Sequence, residues 1–148
     1  MFYYLPVLAQ LSMNRRHRLR RSYDFARVRL NGRSWAHRLL VLAVVPNGLE
    51  VSRFGFVVSR RVGGAVRRNR VRRLLRETTR RNMSLIPNGW DCVLIARTPL
   101  SVATFSQTEA ALVQLLQRAF LWRPSEGESR PIKSDAGGTG LRKQLSSI

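Results

Sequence analysis

Apolar positions along the chain change their period several times, and each change predicts an element. From Trp35 to Val45 the residues are apolar and rich in β-branched side chains, which predicts a buried strand. Phe54, Phe56 and Val58 alternate with Gly55, Val57 and Ser59, so a second strand is predicted from about Glu50 to Ser59. Between the two lies Pro46-Asn47-Gly48-Leu49, whose Asn-Gly pair predicts a tight hairpin. A further apolar run, Asp91–Arg97, follows the turn residues Pro87-Asn88-Gly89 and stops at Thr98-Pro99. Elsewhere the spacing is helical. Phe25 and Val28 share a face at i,i+3, with Ser22 as the expected N-cap, Asp24 in the first turn and Asn31-Gly32 as the stop. Val71, Leu74, Leu75 and Thr78 repeat at i, i+3, i+4 and i+7 within a helix expected from about Ala65 to Arg81. A last helix is expected near Ser106, where Ser106-x-x-Glu109 matches a capping box. Its residues Leu112, Val113, Leu115, Leu116, Ala119 and Phe120 would close the core.

The ends differ from this body. Residues 1–12 are uncharged and apolar, and lack the basic segment that opens a signal peptide. Met13 then begins a basic run, Arg15-Arg16-His17-Arg18, so residues 1–12 read as an N-terminal extension and Met13 as a candidate start. Residues 13–122 form one domain on this reading. After Trp122 the chain turns to Pro, Gly, Ser and mixed charge, and residues 123–148 are expected to be a flexible tail. No run reaches the roughly 18 apolar residues of a membrane span. Cys92 is the only cysteine, which excludes an internal disulfide and suits a reducing cytoplasm. It lies inside Cys92-Val93-Leu94-Ile95-Ala96 and is expected to be a buried core thiol. His17 and His37 stand apart from any metal-like grouping and read as surface or RNA-facing residues.

Charge changes the picture most. The 148 residues carry 27 Lys+Arg against 8 Asp+Glu, a formal net charge of +19, with an ordinary hydrophobic content of 44%. A folded domain this positive repels itself, and a polyanion is the usual partner that offsets the repulsion. Lysine occurs only at Lys133 and Lys143. Arginine suits phosphate and base stacking, although coding DNA rich in G and C gives the same preference. Ten arginines and one acid, Glu77, lie between Arg60 and Arg81. On a helical wheel Asn69, Arg73, Arg76 and Arg80 fall opposite the apolar face, with Arg68 and Arg72 on one flank and Arg70 on the other. A merely solvated face would mix signs. A membrane-lying helix would need large free apolar side chains opposite the charge, and here the core requires them. Gly63-Gly64 permits a sharp turn or a close backbone approach to phosphate at the helix start.

The segment from Val58 to Glu77, VSRRVGGAVRRNRVRRLLRE, closely resembles the signature of the bacterial ribonuclease P protein, with its Arg-Asn-Arg motif at Arg68-Asn69-Arg70. Arg18-Leu19 with Tyr23-Asp24-Phe25 resembles the family's first helix, and Asp91–Arg97 its last strand; the likeness spans roughly residues 13–122. It implies an α+β fold, a two-layer α/β sandwich in the order α-β-β-β-α-β-α. The basic helix would then lie in a left-handed crossover, against the general rule for parallel strands. It also implies a catalytic RNA partner that removes the 5′ leader from precursor tRNA. Arg68, Asn69, Arg70, Arg72, Arg73 and Arg76 would face that RNA, with Arg60 and Arg61 extending the surface; Arg80 joins them from its place on the helical wheel. Phe25 would line the cleft that holds the leader, and plain core packing accounts for its position equally well. Two departures stand out: Arg29 occupies the place one turn after Phe25 where relatives carry an aromatic residue, and Leu39, Leu40 and Leu42 are aliphatic in the first long strand. The cleft, formed by Phe25 and Arg29, is therefore expected to rely on charge more than on stacking.

Catalysis by the chain itself is not expected. Metal-assisted phosphodiester hydrolysis needs neighbouring carboxylates, and Asp24, Glu50, Glu77, Asp91 and Glu109 are scattered singly. No cofactor is expected on the protein, and Mg²⁺ would be held through the RNA partner. No membrane or obligate protein partner is indicated. The competing readings are a structural protein of the ribosome, which predicts no effect on leader cleavage, and a free-standing nuclease, which predicts cleavage by the protein alone.

Overall fold

A central strand flanked on both edges decides the layout. The computed structural model describes residues 13–119. Its elements are α1 (Ser22–Asn31), β1 (Arg33–Ala36), β2 (Leu40–Pro46), β3 (Arg53–Val57), α2 (Ala65–Asn82), β4 (Trp90–Ala96) and α3 (Phe105–Arg118), joined by short 3-10 turns. The order is α-β-β-β-α-β-α, as the resemblance implies. The sheet runs β1-β2-β4-β3, with β4 antiparallel to β2 and parallel to β3.

The hairpin expected at Asn47-Gly48 does not form, because β4 lies between β2 and β3. Asp91 through Ala96 are buried throughout, and a strand buried on both faces gains most from ladder partners on both edges. The Asn47 side chain donates to Val51 O (3.0 Å) and to Asp91 Oδ1 (2.9 Å), so the turn wraps around the first residues of β4. The true hairpin joins β1 to β2 through His37-Arg38-Leu39, inside the run that reads as one strand in the sequence. There His37 Nδ1 accepts the Leu39 N–H at 3.0 Å and takes the place of an Asn-Gly turn.

Alternation along the strands feeds two cores. Leu40, Leu42, Val44, Phe54, Cys92 and Leu94 face α2 and α3, where Val71, Leu75, Leu112, Leu115 and Leu116 meet them. Val41, Ala43, Val45, Val93 and Ile95 face the other way, toward Leu19 and Val28. The sheet thus packs on α2 and α3, while α1 covers part of the second face. Arg18-Leu19 closes the outer edge of β3 by a parallel bridge, Leu19 N–H to Phe54 O at 2.9 Å. Covering that edge removes a site for unwanted strand addition.

Two expected caps move. Arg21 precedes α1 without a side-chain cap, and Ser22 is the first helical residue. For α3 the capping box is Thr104 with Gln107, two residues before the expected one: Gln107 N–H donates to Thr104 Oγ1 (3.1 Å) and Thr104 N–H to Gln107 Oε1 (3.0 Å). Glu109 turns instead to Asn82 Nδ2 at 3.3 Å. Leu112, Leu115, Leu116 and Ala119 are buried as expected, Val113 is half-buried, and Phe120 lies outside the described residues.

Candidate nucleic-acid interface

Helix α2 is fixed to the core by the face that its periodicity marks. Val71, Leu75 and Thr78 are buried and Leu74 is half-buried, and the same stripe continues through Thr79 and Asn82. The polar members of the stripe are satisfied within the helix: Thr78 Oγ1 donates to Leu74 O (2.7 Å), Thr79 Oγ1 to Leu75 O (2.8 Å) and Asn82 Nδ2 to Thr78 O (2.8 Å). The outward face then carries the arginines.

They divide along the helix. At its C-terminal end Arg80 is clasped by Glu77, Nε to Oε2 at 3.1 Å and Nη2 to Oε1 at 2.5 Å. This hydrogen bond holds the Glu77 carboxyl below its usual range and raises the Arg80 guanidinium. Arg81 stacks 5.0 Å over the Phe105 ring and lies 3.9 Å from Glu109. The stretch from Arg60 to Arg76 is different. Arg60, Arg61, Arg67, Arg68, Arg70, Arg72, Arg73 and Arg76 form no ion pair with an acid among the described residues. Arg72 Nη1 donates to Asn69 Oδ1 (3.2 Å), while Arg70 Nη1 turns to Ser101 O (2.9 Å) in the segment after β4. The Arg76 guanidinium is lowered, first by burial and then by Arg18, Arg72 and Arg73, which marks a crowd of like charges. Arg18 and Arg68 each hold a buried Nε–H without an acceptor among the described residues. Gly63 has φ 148°, which starts the helix sharply, and a Cβ there would come within 2.6 Å of Arg67 Cδ.

A groove of about 650 Å³ lies on the other face of the sheet. Phe25 and Arg29 of α1 form one wall with Arg20 and Ser22, and Ala43, Val57, Val93 and Ile95 line the floor. The Phe25 ring lies over Gly55, where a Cβ would approach it to 2.5 Å, so Phe25 both packs on the sheet and borders the groove. Leu39, Leu40 and Leu42 do not take part. Strand alternation turns Leu40 and Leu42 to the α2–α3 core, Leu39 joins that core from the turn before β2, and β2 presents Ala43 to the groove instead.

The wall is clamped by a buried carboxylate, Asp91, which stands alone among the acids in the sequence. Asp91 accepts from Arg53 Nε (2.9 Å) and Nη2 (2.7 Å), from Asn47 Nδ2 (2.9 Å) and from Arg27 of α1. Arg53 also reaches Asp24 of α1 at 3.4 Å. Burial alone would push the Asp91 carboxyl up, but the hydrogen bonds from Arg53, Asn47 and Arg27 bring it below its usual value. The signal was available: an acid opening an apolar strand requires partners. No group of three or more His, Cys, Asp or Glu side chains that could hold a metal ion occurs among the described residues.

These two surfaces, a basic helix and an aromatic-walled groove, sit in a fold with known counterparts. The sequence model of the family described as Ribonuclease P matches residues 13–120. The chain belongs to the ribonuclease P protein family. It is 47% identical to the "Ribonuclease P protein component" of Roseiflexus castenholzii over 72% of this chain and 88% of that protein. Among solved structures it is similar to the ribonuclease P protein of Staphylococcus aureus, with a TM-score of 0.67 and 31% identity over 72% of this chain and 98% of that one. The Thermotoga maritima ribonuclease P protein gives a TM-score of 0.64 and 39% identity over 68% of this chain and 96% of the other.

The two histidines are half-buried, and each also serves the fold. His17 Nδ1 lies 3.0 Å from Ser52 O, and His37 builds the β1–β2 turn. Cys92 is fully buried, and burial followed by the neighbouring Asp91 charge pushes its thiol far up. No helix among the described residues is long and apolar enough to cross a membrane.

Proposed function

We propose that this chain is the RNA-binding subunit of ribonuclease P, and that the stretch from Arg60 through Arg76 of α2 is its contact with the catalytic RNA. The single observation that carries the interface is the cluster of arginines from Arg60 to Arg76 without an acidic partner among the described residues. Within the cluster Arg68, Asn69, Arg70, Arg72, Arg73 and Arg76 bind, and Arg60 and Arg61 extend the surface. Arg80, held by Glu77, contributes less than its place on the helical wheel suggests. The ribosomal alternative gains nothing from the relatives above.

The division of labour follows from the chemistry. The catalytic RNA performs the cleavage that removes the leader of precursor tRNA. The protein supplies fixed positive charge, which offsets phosphate repulsion when leader and catalytic RNA are brought together, so less Mg²⁺ is required. The leader lies in the groove, with Phe25 available for base stacking and Arg20 and Arg29 for phosphate. The test is reconstitution of the protein with ribonuclease P RNA and precursor tRNA at low Mg²⁺. Stimulated 5′ cleavage is expected. No stimulation defeats the reading, and cleavage without the RNA would make the chain itself the nuclease.

A further inference from the structure

A second group of arginines meets away from α2, at the β1–β2 turn. Arg97, the residue after β4, donates from Nη1 to His37 O at 3.3 Å. Arg118, the last residue of α3, donates from Nη1 to Ala36 O at 2.9 Å. Arg38 stands within the turn itself. All three are exposed, and none forms an ion pair with an acid among the described residues. Burial, and then Arg38 and Arg118, lower the pKa of His37 in their midst, a second sign of converging positive charge. Each turn carbonyl engages one N–H of a guanidinium that has five. Arg97 and Arg118 are thus held in place with most of their donors unused among the described residues, which reduces the ordering cost of binding an anion.

Position gives the patch a direction. The second-face residues of β4 alternate as Asp91, Val93 and Ile95, and Arg97 is next in that register. Its N–H continues the ladder to Leu39 O at 3.0 Å. From Val93 to Arg97 is about 13 Å of strand. The α1 clamp lies at the opposite end, where Arg27 bonds Asp91 and Pro46 O. A chain crossing the groove floor away from α1 therefore passes over Ile95 and arrives at Arg97 and the turn.

We propose that Arg38, Arg97 and Arg118 form a phosphate-binding step that carries the single-stranded leader beyond the groove and over the β1–β2 turn. This rests on the reading of the groove as the leader site. The experiment uses the holoenzyme assembled with ribonuclease P RNA, and precursor tRNAs whose leaders are shortened one nucleotide at a time from the 5′ end. Arg38→Ala removes no side-chain hydrogen bond seen in the structure, and Arg97→Gln keeps a donor for His37 O. Each is expected to weaken binding of long-leader substrates by about two- to fivefold, the range for exposed charge contacts. The loss should disappear once the leader is too short to reach the turn. Equal weakening at every length would assign the patch to the catalytic RNA or the tRNA body and overturn the proposal. No weakening at any length would make it a solvated face and overturn it equally. Failure of the underlying groove reading is separately visible: wild-type affinity, and the effect of Arg29→Ala, would then not depend on leader length at all.

Discussion

At the scale of single residues, Asp91 does the most to join the elements. It ties β4 to β3 through Arg53, to the β2–β3 connection through Asn47, and to α1 through Arg27. Removing one partner of a buried charge pair leaves the others unpaired, so Asp91→Ala should cost on the order of 3 kcal/mol in denaturant unfolding. The sign of its pH dependence is fixed by the depressed carboxyl. The stabilisation is fully present above the ordinary carboxylate pKa of about 4 and is lost as pH falls from there through the folded value. Unfolding free energy measured between neutral and acidic pH should show this loss, and the Asp91→Asn chain should lack that part of it. Cys92 offers a simpler check. Buried and with its thiol pushed up, it should resist alkylation in the native protein and react after unfolding; rapid native labelling would contradict its place in the core.

At the scale of elements, α2 couples a satisfied inner face to an outer face of uneven availability. If the N-terminal arginines meet phosphates, log K for RNA should fall with log[salt]. Arg73→Ala or Arg76→Ala should reduce that slope by roughly 0.7 per lost contact on single strands. Arg80→Ala should change it less, because Glu77 already neutralises that guanidinium. Equal slopes for all three would argue that the helix end binds as well as its beginning. The capping box of α3 can be tested apart from RNA: Thr104→Ala should destabilise the fold by about 1 kcal/mol in denaturant unfolding, whereas Ser106→Ala should have little effect.

At the scale of the whole molecule, a net charge of +19 means that the free protein folds against its own field. Screening should therefore stabilise it. Raising salt from low to physiological ionic strength is expected to raise Tm, and a bound RNA should raise it further by mass action. A Tm that fell with added salt would show that ion pairs such as Asp91–Arg53 outweigh the repulsion. The arrangement also gives so small a domain two separate surfaces, as the proposed contacts with two RNAs require. The sheet separates the α2 surface from the groove, and its buried faces hold both in fixed relation.

Much of this was legible in one dimension. Periodicity located α2 and its buried stripe, alternation located β3, an apolar run between turn signals located β4, and charge named the partner class, because each is read from nearby residues. What the sequence left open depends on long-range pairing. The Asn-Gly turn is a sound local signal, yet β4 enters between the strands that it joins, since a strand buried on both faces takes the place with two neighbours. That insertion brings Asp91 to Arg53 and Arg27, turns Ala43 rather than Leu42 toward the groove, and sets Arg97 against the β1–β2 turn. Local sequence determined the three helices, β3, β4 and the charge that selects RNA, but not the division of the first apolar run into β1 and β2. The Arg80–Glu77 pair is local, at i,i+3, whereas tertiary packing decided that Arg27, Arg53 and Arg81 also meet acids, because those acids lie far away in the chain.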